Sequence, residues 1–350
     1  MTHASPASAS PAHRAAPLAR RRVFVPLVGG LLVVAVLASL ALGAITLPGG
    51  RLLEALLRTP VAEAGDMTII WDLRLPRTLL AALVGASLGV AGAAFQGLFR
   101  NPLADPYVIG ASSGAAFGAT LAMSFGWGMT ALGLGSLPVA AFAGAMLTVA
   151  LVYLVAETGG GTTVASLLLA GSAISAMLSA IVSFLMIWRE QPWFSVFSWL
   201  LGGFSGRSWP QLVSVLPFLG LGVGTLWLLS RPLDALTGGD ELAASLGLRL
   251  RTTRLLIVAA AGLVVAACVS VSGIIGFIGL IAPHCARWLV GAGHGRLIPA
   301  SALLGALLLV VADTAARTML APVEIPVGIL TAGLGGPFFL YLLRTRGAHL

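Results

Sequence analysis

The sequence predicts an all-α, polytopic membrane protein of about ten spanning helices. Three observations carry this: 58% of the 350 residues are hydrophobic, only 9% are charged, and long apolar runs alternate with Gly, Pro and Arg. The mean hydropathy is +1.00. A soluble domain carries about 25% charged residues, so this chain cannot cover itself with polar surface. One helix needs roughly 20 apolar residues to cross a ~30 Å hydrocarbon layer, so about ten helices use the apolar share of the chain.

Residues 1–22, rich in Ala, Ser, Pro and Arg, are expected to form a disordered cytoplasmic tail, and 23–350 a single transmembrane domain. Arg20, Arg21 and Arg22 before an apolar run resemble the start of a signal peptide. Phe24–Ile45 is too long for an ordinary signal core, however, and reads as the first span. The spans are then Val23–Ile45, Thr78–Phe99, Tyr107–Phe125, Leu137–Ala156 and Val164–Ile187, followed by Leu212–Ser230, Leu255–Val271, Ile274–Val290, Ile298–Thr314 and Gly328–Leu343. Gly110, Gly114 and Gly118 lie at spacing four, a small-residue face that lets a neighbouring helix approach closely in lipid.

Three connections are long. Thr46–Arg77 contains a short helix over Gly50–Leu57. Trp188–Gln211 carries Trp193, Phe194, Phe197 and Trp199, which suit an interfacial helix. The third is Arg231–Arg254.

Orientation follows from the basic residues, all of which are arginine. With the N-terminus inside and the spans alternating, thirteen of the 20 fall on the inner side and seven on the outer. That bias places both termini and Arg231–Arg254 in the cytoplasm, with the protein in the inner (cytoplasmic) membrane. The formal charge of +8 does not point to nucleic acid, because the arginines sit singly between apolar runs and form no basic face. Cys268 and Cys285 lie in apolar runs, where a disulfide is possible but unmotivated and small buried hydrophobes are the better reading. Neither they nor the five His show metal-ligand spacing, so no metal site and no cofactor are expected.

The inner connection holds the most chemistry. Asp240 is expected to cap a helix running Glu241–Leu246 and stopping at Gly247. Leu242 and Leu246 share one face at spacing four, with Ala243 beside them. Such a helix either lies against lipid headgroups or docks into the groove of a cytoplasmic partner.

Several stretches resemble one family, the FecCD-like permeases of type II ABC importers for iron-siderophores, haem and cobalamin. They are RLPR at Arg74–Arg77, QGLFRNPLADPYVIGASSGAA at Gln96–Ala116, LLLAG at Leu167–Gly171 and WLLGGFSGRSW at Trp199–Trp209. GDELAASLG at Gly239–Gly247, GFIGLIAPHCAR at Gly276–Arg287 and EIPVGILTAGLGGPFF at Glu324–Phe339 complete the set. They occur in family order over nearly the whole chain.

The resemblance implies roles for particular residues. Asp240, Glu241, Leu242, Ala243, Leu246 and Gly247 would form the coupling helix seated in an ATPase subunit. Asn101, Leu103 and Leu168 would close the path on the cytoplasmic side, with Val164 where the family often has a small hydroxyl residue. Arg74 and Arg317 would pair with carboxylates of an extracytoplasmic substrate-binding protein. The assembly implied is a homodimer with two cytoplasmic ATPase subunits, embedded in membrane lipid and working by alternating access. Local physics offers plainer readings of the same residues. Arg74 and Arg77 can snorkel at a span end, Arg317 can pair with Asp313 on its own helix, and Asn101-Pro102 is a turn signal. His284, after Pro283, reads as a structural hydrogen-bonding residue.

Two other function classes compete. An ion-coupled secondary transporter needs ionisable residues near the bilayer midplane, and here the acidic residues lie at or beyond span ends, Asp313 being the deepest. An enzyme needs a nucleophile with its base or clustered metal ligands, and no such set is present. The chain contains no lysine, so it cannot hold a G-x-x-x-x-G-K-[ST] loop, and ATP hydrolysis would fall to a separate subunit.

Overall fold

The computed structural model describes residues 18–43, 45–128, 135–158, 163–188 and 193–346. Among these every regular element is a helix, joined by turns and short unwound segments. The expected tail lies outside the described residues up to residue 17, and its last five residues already belong to the first helix.

That helix is α1 (Leu18–Ala41). The short helices α2 (Gly49–Leu56) and α3 (Ala64–Met67) follow, and a π-helical turn over Thr68–Arg74 runs directly into α4 (Leu75–Leu98). Next come α5 (Ala111–Ser124), α6 (Ser136–Thr158), α7 (Val164–Trp188), α8 (Trp193–Leu200) and α9 (Trp209–Leu228). Two short helices, α10 (Ser230–Thr237) and α11 (Asp240–Ser245), precede α12 (Leu250–Ser272), α13 (Ile278–Val290), α14 (His294–Thr318) and α15 (Val327–Arg346). The ten expected spans correspond one for one to α1, α4, α5, α6, α7, α9, α12, α13, α14 and α15. Among the described residues, seven helices are long and apolar enough to cross a membrane. The end holding α10 and α11 is called inner here, after the orientation the arginines predict.

Two spans are shorter than expected, and the reason is local. The third begins at Ala111, because Pro102 and Pro106 block a helix before it and Gly110 takes φ 81°. The eighth begins at Ile278, after Gly273 (φ 66°) and Phe277 (φ 69°). Unwound backbone at membrane depth persists only where protein covers it, and the two unwound segments cover each other. The Tyr107 hydroxyl donates to the Ile275 carbonyl at 3.2 Å, and Asp105 accepts the Tyr107 N–H at 2.8 Å.

The centre of the bundle is α4 and α12, each with 78% of its apolar window buried, against 22% for α1 and 28% for α7 and α9. Small residues set this arrangement. A Cβ on Gly85 would strike the Gly305 carbonyl, one on Gly89 the Ser301 carbonyl, and one on Gly92 the Gly279 carbonyl. The predicted glycine face of α5 behaves likewise: Gly114 lies against Gly144 and Thr148, and Gly118 against Ala140. Without a hydrophobic force between helices in lipid, such backbone approach supplies the packing.

At the outer end, α2 and α3 form a small lobe. Arg51 binds Asp66 at 2.7 and 2.9 Å and Glu63 at 2.7 Å, over an apolar patch of Leu47, Ala55 and Ile70. The expected helix over Gly50–Leu57 is this α2, and α8 supplies the aromatic helix expected in the second long connection.

Candidate functional site

The inner site is built on α11, whose six residues are too few to hold a helix by themselves. Gly239 (φ 116°) admits the chain and Gly247 (φ 81°) stops it, both in backbone conformations that favour glycine. The sequence expectation for Asp240 is corrected here. The N-cap is Gly239, and Asp240 makes no capping bond. Its carboxylate instead meets Arg100 at the end of α4 and Arg254 on α12, the latter at 2.6 Å. Burial by itself would raise the Asp240 pKa, but Arg254 and Arg100 outweigh it and hold the carboxyl below its ordinary value. Arg100 also donates to the Leu236 carbonyl at 2.8 Å, so one guanidinium joins α4, α10 and α11. A second tie lies next to it: the Asp234 carboxylate on α10 accepts the His294 N–H at 2.8 Å and meets its Nδ1 at 2.6 Å, at the start of α14.

With its polar side clamped, α11 buries Ala243 fully and turns Leu242 (48% exposed) and Leu246 (64% exposed) outward, with Glu241 exposed beside them. The result is an exposed apolar patch on a short helix held to the two central spans.

The four expected gate residues lie at the same end by chain direction. Asn101 is exposed, and its Oδ1 accepts the Leu103 N–H at 2.9 Å. Val164 and Leu168, at the start of α7, pack on the edge of the main core. The segment leading from the Asn101 turn reaches α7 at Gly171, where a Cβ would meet the Val108 carbonyl and Ile109.

At the outer end the arginines sort by what they bind. Arg74 is buried and donates to the carbonyls of Leu40 (2.6 Å), Ala41 (3.0 Å) and Ile45. Arg317 is also buried; it donates to the Ser39 carbonyl and hydroxyl at 2.5 Å and lies 3.6 Å from Asp313. Both therefore fasten the frayed end of α1, and neither stands out from the surface. The main partner of Asp313 is Arg77, at 2.9 to 3.2 Å, and Arg77 also grips Glu324 at 2.9 and 3.0 Å. The deepest carboxylate is thus neutralised by two arginines, which removes it as a lone midplane ion site.

Two cavities open beside this network. One of about 360 Å³ is lined by Arg74, Arg77, Arg207, Arg317 and Glu324. The other, of about 540 Å³, lies against α8 and the start of α15 and shares Arg77, Arg207 and Glu324. Trp199 also lines the second cavity; sequence reasoning missed this role and Arg207, although both residues lie in the stretch Trp199–Trp209, because which side chains share a cavity is not a local property. His284 is buried among Trp288 and Phe338, edge to face with both. Both cysteines are free thiols, Cys268 buried and Cys285 partly so.

Comparison with known proteins adds the family context. The model of the FecCD transport family matches residues 31–345. A cobalamin import system permease protein of Halobacterium salinarum is 45% identical over 278 residues, 79% of this chain and 74% of that protein. A hemin transport system permease protein of Yersinia pestis is 42% identical over 325 residues, 90% of this chain and 94% of that one. Among solved structures, a transporter assigned to the metal-chelate type of ABC transporter, in an inward-facing conformation, superposes with a TM-score of 0.82 at 34% identity. The match covers 93% of this chain and 99% of that one.

Proposed function

The chain belongs to the FecCD transport family, and from that premise we propose that it is the transmembrane permease of an ATP-driven importer. Its cargo is a metal chelate of the iron-siderophore, haem or cobalamin class, moved into the cytoplasm by alternating access. A separate ATPase subunit supplies the hydrolysis, since this chain has no lysine for a phosphate-binding loop.

One observation carries the reading: α11 presents Leu242 and Leu246 to the inner side while Asp240 ties the helix to α4 and α12. A helix in a groove reads as apolar anchors at spacing four. Its fixed attachment lets a push from the partner reach the two most buried spans. Two copies of the chain would frame the path, each with an ATPase below and one binding protein shared above. The sparsely packed α15 supports the homodimer. It contacts chiefly α14 and α13 and leaves Ile329, Leu334 and Leu340 exposed. Asn101, Leu103, Val164 and Leu168 form the inner closure in this reading. Arg74 and Arg317 reach a binding protein through the outer cavity they line.

The test is uptake of labelled ferric citrate, hemin and cyanocobalamin by a strain lacking the gene and complemented with it. Leu246→Asp buries a charge in the partner groove, which is costly unless paired. Transport is expected to collapse while the variant still reaches the membrane. Normal uptake in that variant would leave α11 as an interfacial bystander, and external labelling of Ser245→Cys in intact cells would reverse the orientation.

A further inference from the structure

Among the described residues, each outer arginine but one is engaged. Arg74 and Arg317 bind backbone carbonyls and Ser39, and Arg77 is saturated by Asp313 and Glu324. Arg207 makes no side-chain hydrogen bond or ion pair among the described residues, and its Nε is sealed from solvent without an acceptor. It lines both outer cavities. A second orphan donor shares the larger one: Trp199 is 9% exposed, and its indole N–H has no acceptor. Leaving a buried donor unsatisfied is unfavourable, so two such donors on one cavity call for an acceptor from outside the chain.

The backbone around them is fixed in advance. Gly202 (φ 69°) lies against the Ile274 carbonyl, and the Gly203 N–H donates to the Ser272 carbonyl at 2.7 Å. Beyond Arg207, Ser208 and Gln211 form a capping box that starts α9, with the Ser208 N–H donating to Oε1 at 3.0 Å. Trp209 anchors the loop to the Trp71 carbonyl at 2.8 Å. Burial disfavours the Arg207 cation and lowers its pKa, which strengthens the demand for a counter-anion. The first cavity carries four arginines against the single carboxylate of Glu324.

We infer that Arg207 and Trp199 form an anion-recognition site in the outer mouth that takes a carboxylate of the transported chelate. A planar guanidinium matches a carboxylate in two-point geometry. Phe194 and Phe204 line the same cavity and offer an apolar wall to the body of the chelate, while Ser195 and Ser198 add hydroxyls. A recess this size suits a group on a small molecule better than a flat protein contact. The inference rests on the importer reading above and makes it narrower: the cargo bears free carboxylates.

The experiment uses the complemented strain with Arg207→Gln, Arg207→Lys and Trp199→Phe at matched membrane levels. The probes are labelled ferric citrate and hemin, which bear carboxylates, and cyanocobalamin, which bears amides, each at limiting concentration. Wild type is expected to carry at least one carboxylate probe. Arg207→Gln should lower that uptake by about tenfold, the effect of losing a charge-assisted bond, Trp199→Phe by less, and Arg207→Lys least. Carboxylate uptake unchanged in Arg207→Gln and Trp199→Phe would overturn the site. So would a wild type that carries cyanocobalamin alone, although the importer reading would then stand. A wild type that restores none of the three sinks the importer reading and the site with it. A chelate-free pull-down settles the remaining source of carboxylate. If Arg207→Gln weakens retention of the binding protein there, the anion belongs to that protein and the chelate assignment falls.

Discussion

The Asp240 carboxylate on α11 accepts a hydrogen bond from the Arg254 guanidinium on α12 at 2.6 Å, while its other oxygen meets Arg100 at the end of α4. Arg254 lies on α12 and Arg100 directly after α4, the two most buried helices of the bundle, so the one carboxylate joins a surface helix to the core.

Asp240→Asn keeps the shape of the side chain and removes its charge. The carboxylate is 45% exposed, so each pair contributes about 0.2–1 kcal/mol after screening. Uptake is expected to fall several-fold without being abolished, and ATPase subunits should still co-purify. An unchanged ratio of ATP hydrolysed to chelate moved would show that the clamp transmits nothing. The sign with pH is also set. The folded pKa lies below the ordinary value, so the contribution is present above that ordinary value and is lost as pH falls through the lowered one. The wild-type to Asp240→Asn ratio should therefore stay flat from about pH 8 to about pH 5.

Cysteines at Leu103 and Val164 test the inner closure. Both residues are partly buried, and in the proposed cycle they lose access to a cytoplasmic thiol reagent when the path closes inward. Labelling rates should differ between nucleotide-free and nucleotide-trapped complexes. Rates indifferent to nucleotide would move the gate elsewhere.

Gly85→Val sets a branched side chain against the Gly305 carbonyl on α14. Overpacking of this kind costs about 1–3 kcal/mol or more, and here backbone itself would have to move. The thermal midpoint of the detergent-solubilised protein should drop by several degrees. Gly29→Ala, where a Cβ meets nothing within 4 Å, serves as the control and should leave the midpoint in place.

Arg74→Gln combined with Arg317→Gln separates docking from anchoring. Glutamine avoids burying reversed charges at sites 7% and 5% exposed. The double variant is expected to bind the binding protein more weakly at low salt, with the difference shrinking as salt rises. Equal affinity at low salt, together with a lowered thermal midpoint, would leave both arginines as fasteners of α1 alone.

Much of this was legible in the chain. The apolar runs locate all ten bundle helices, and spacing-four leucines with a following Gly247 locate α11 and its exposed face. The glycine row on α5 foretells its close partner. Hydropathy smooths over breakers, however, so an apolar run shows neither the shortening of α5 nor that of α13, although Pro102, Pro106 and Gly273 stand in the sequence. Local sequence makes Asp240 look like a cap, because capping is judged from the next three residues, whereas the N-cap is Gly239. The actual partners of Asp240, Arg254 and Arg100, lie 14 and 140 positions away.

What the sequence by itself determined is therefore the class of the molecule, its helices, the handle on α11 and, through ordered motifs, its family. These are properties of composition and of short periods, which act over one or two helical turns. What only the tertiary structure decided is the state of each charge. Arg74 and Arg317 bind α1 carbonyls, Asp313 is shared by Arg77 and Arg317, and among the described residues the Arg207 Nε and the Trp199 indole N–H have no acceptor. All five arginines and tryptophans in question sit in polar or aromatic stretches that look alike in one dimension. In a medium without water each buried polar group must find its partner in space, and which partner it finds depends on helices brought together from distant parts of the chain.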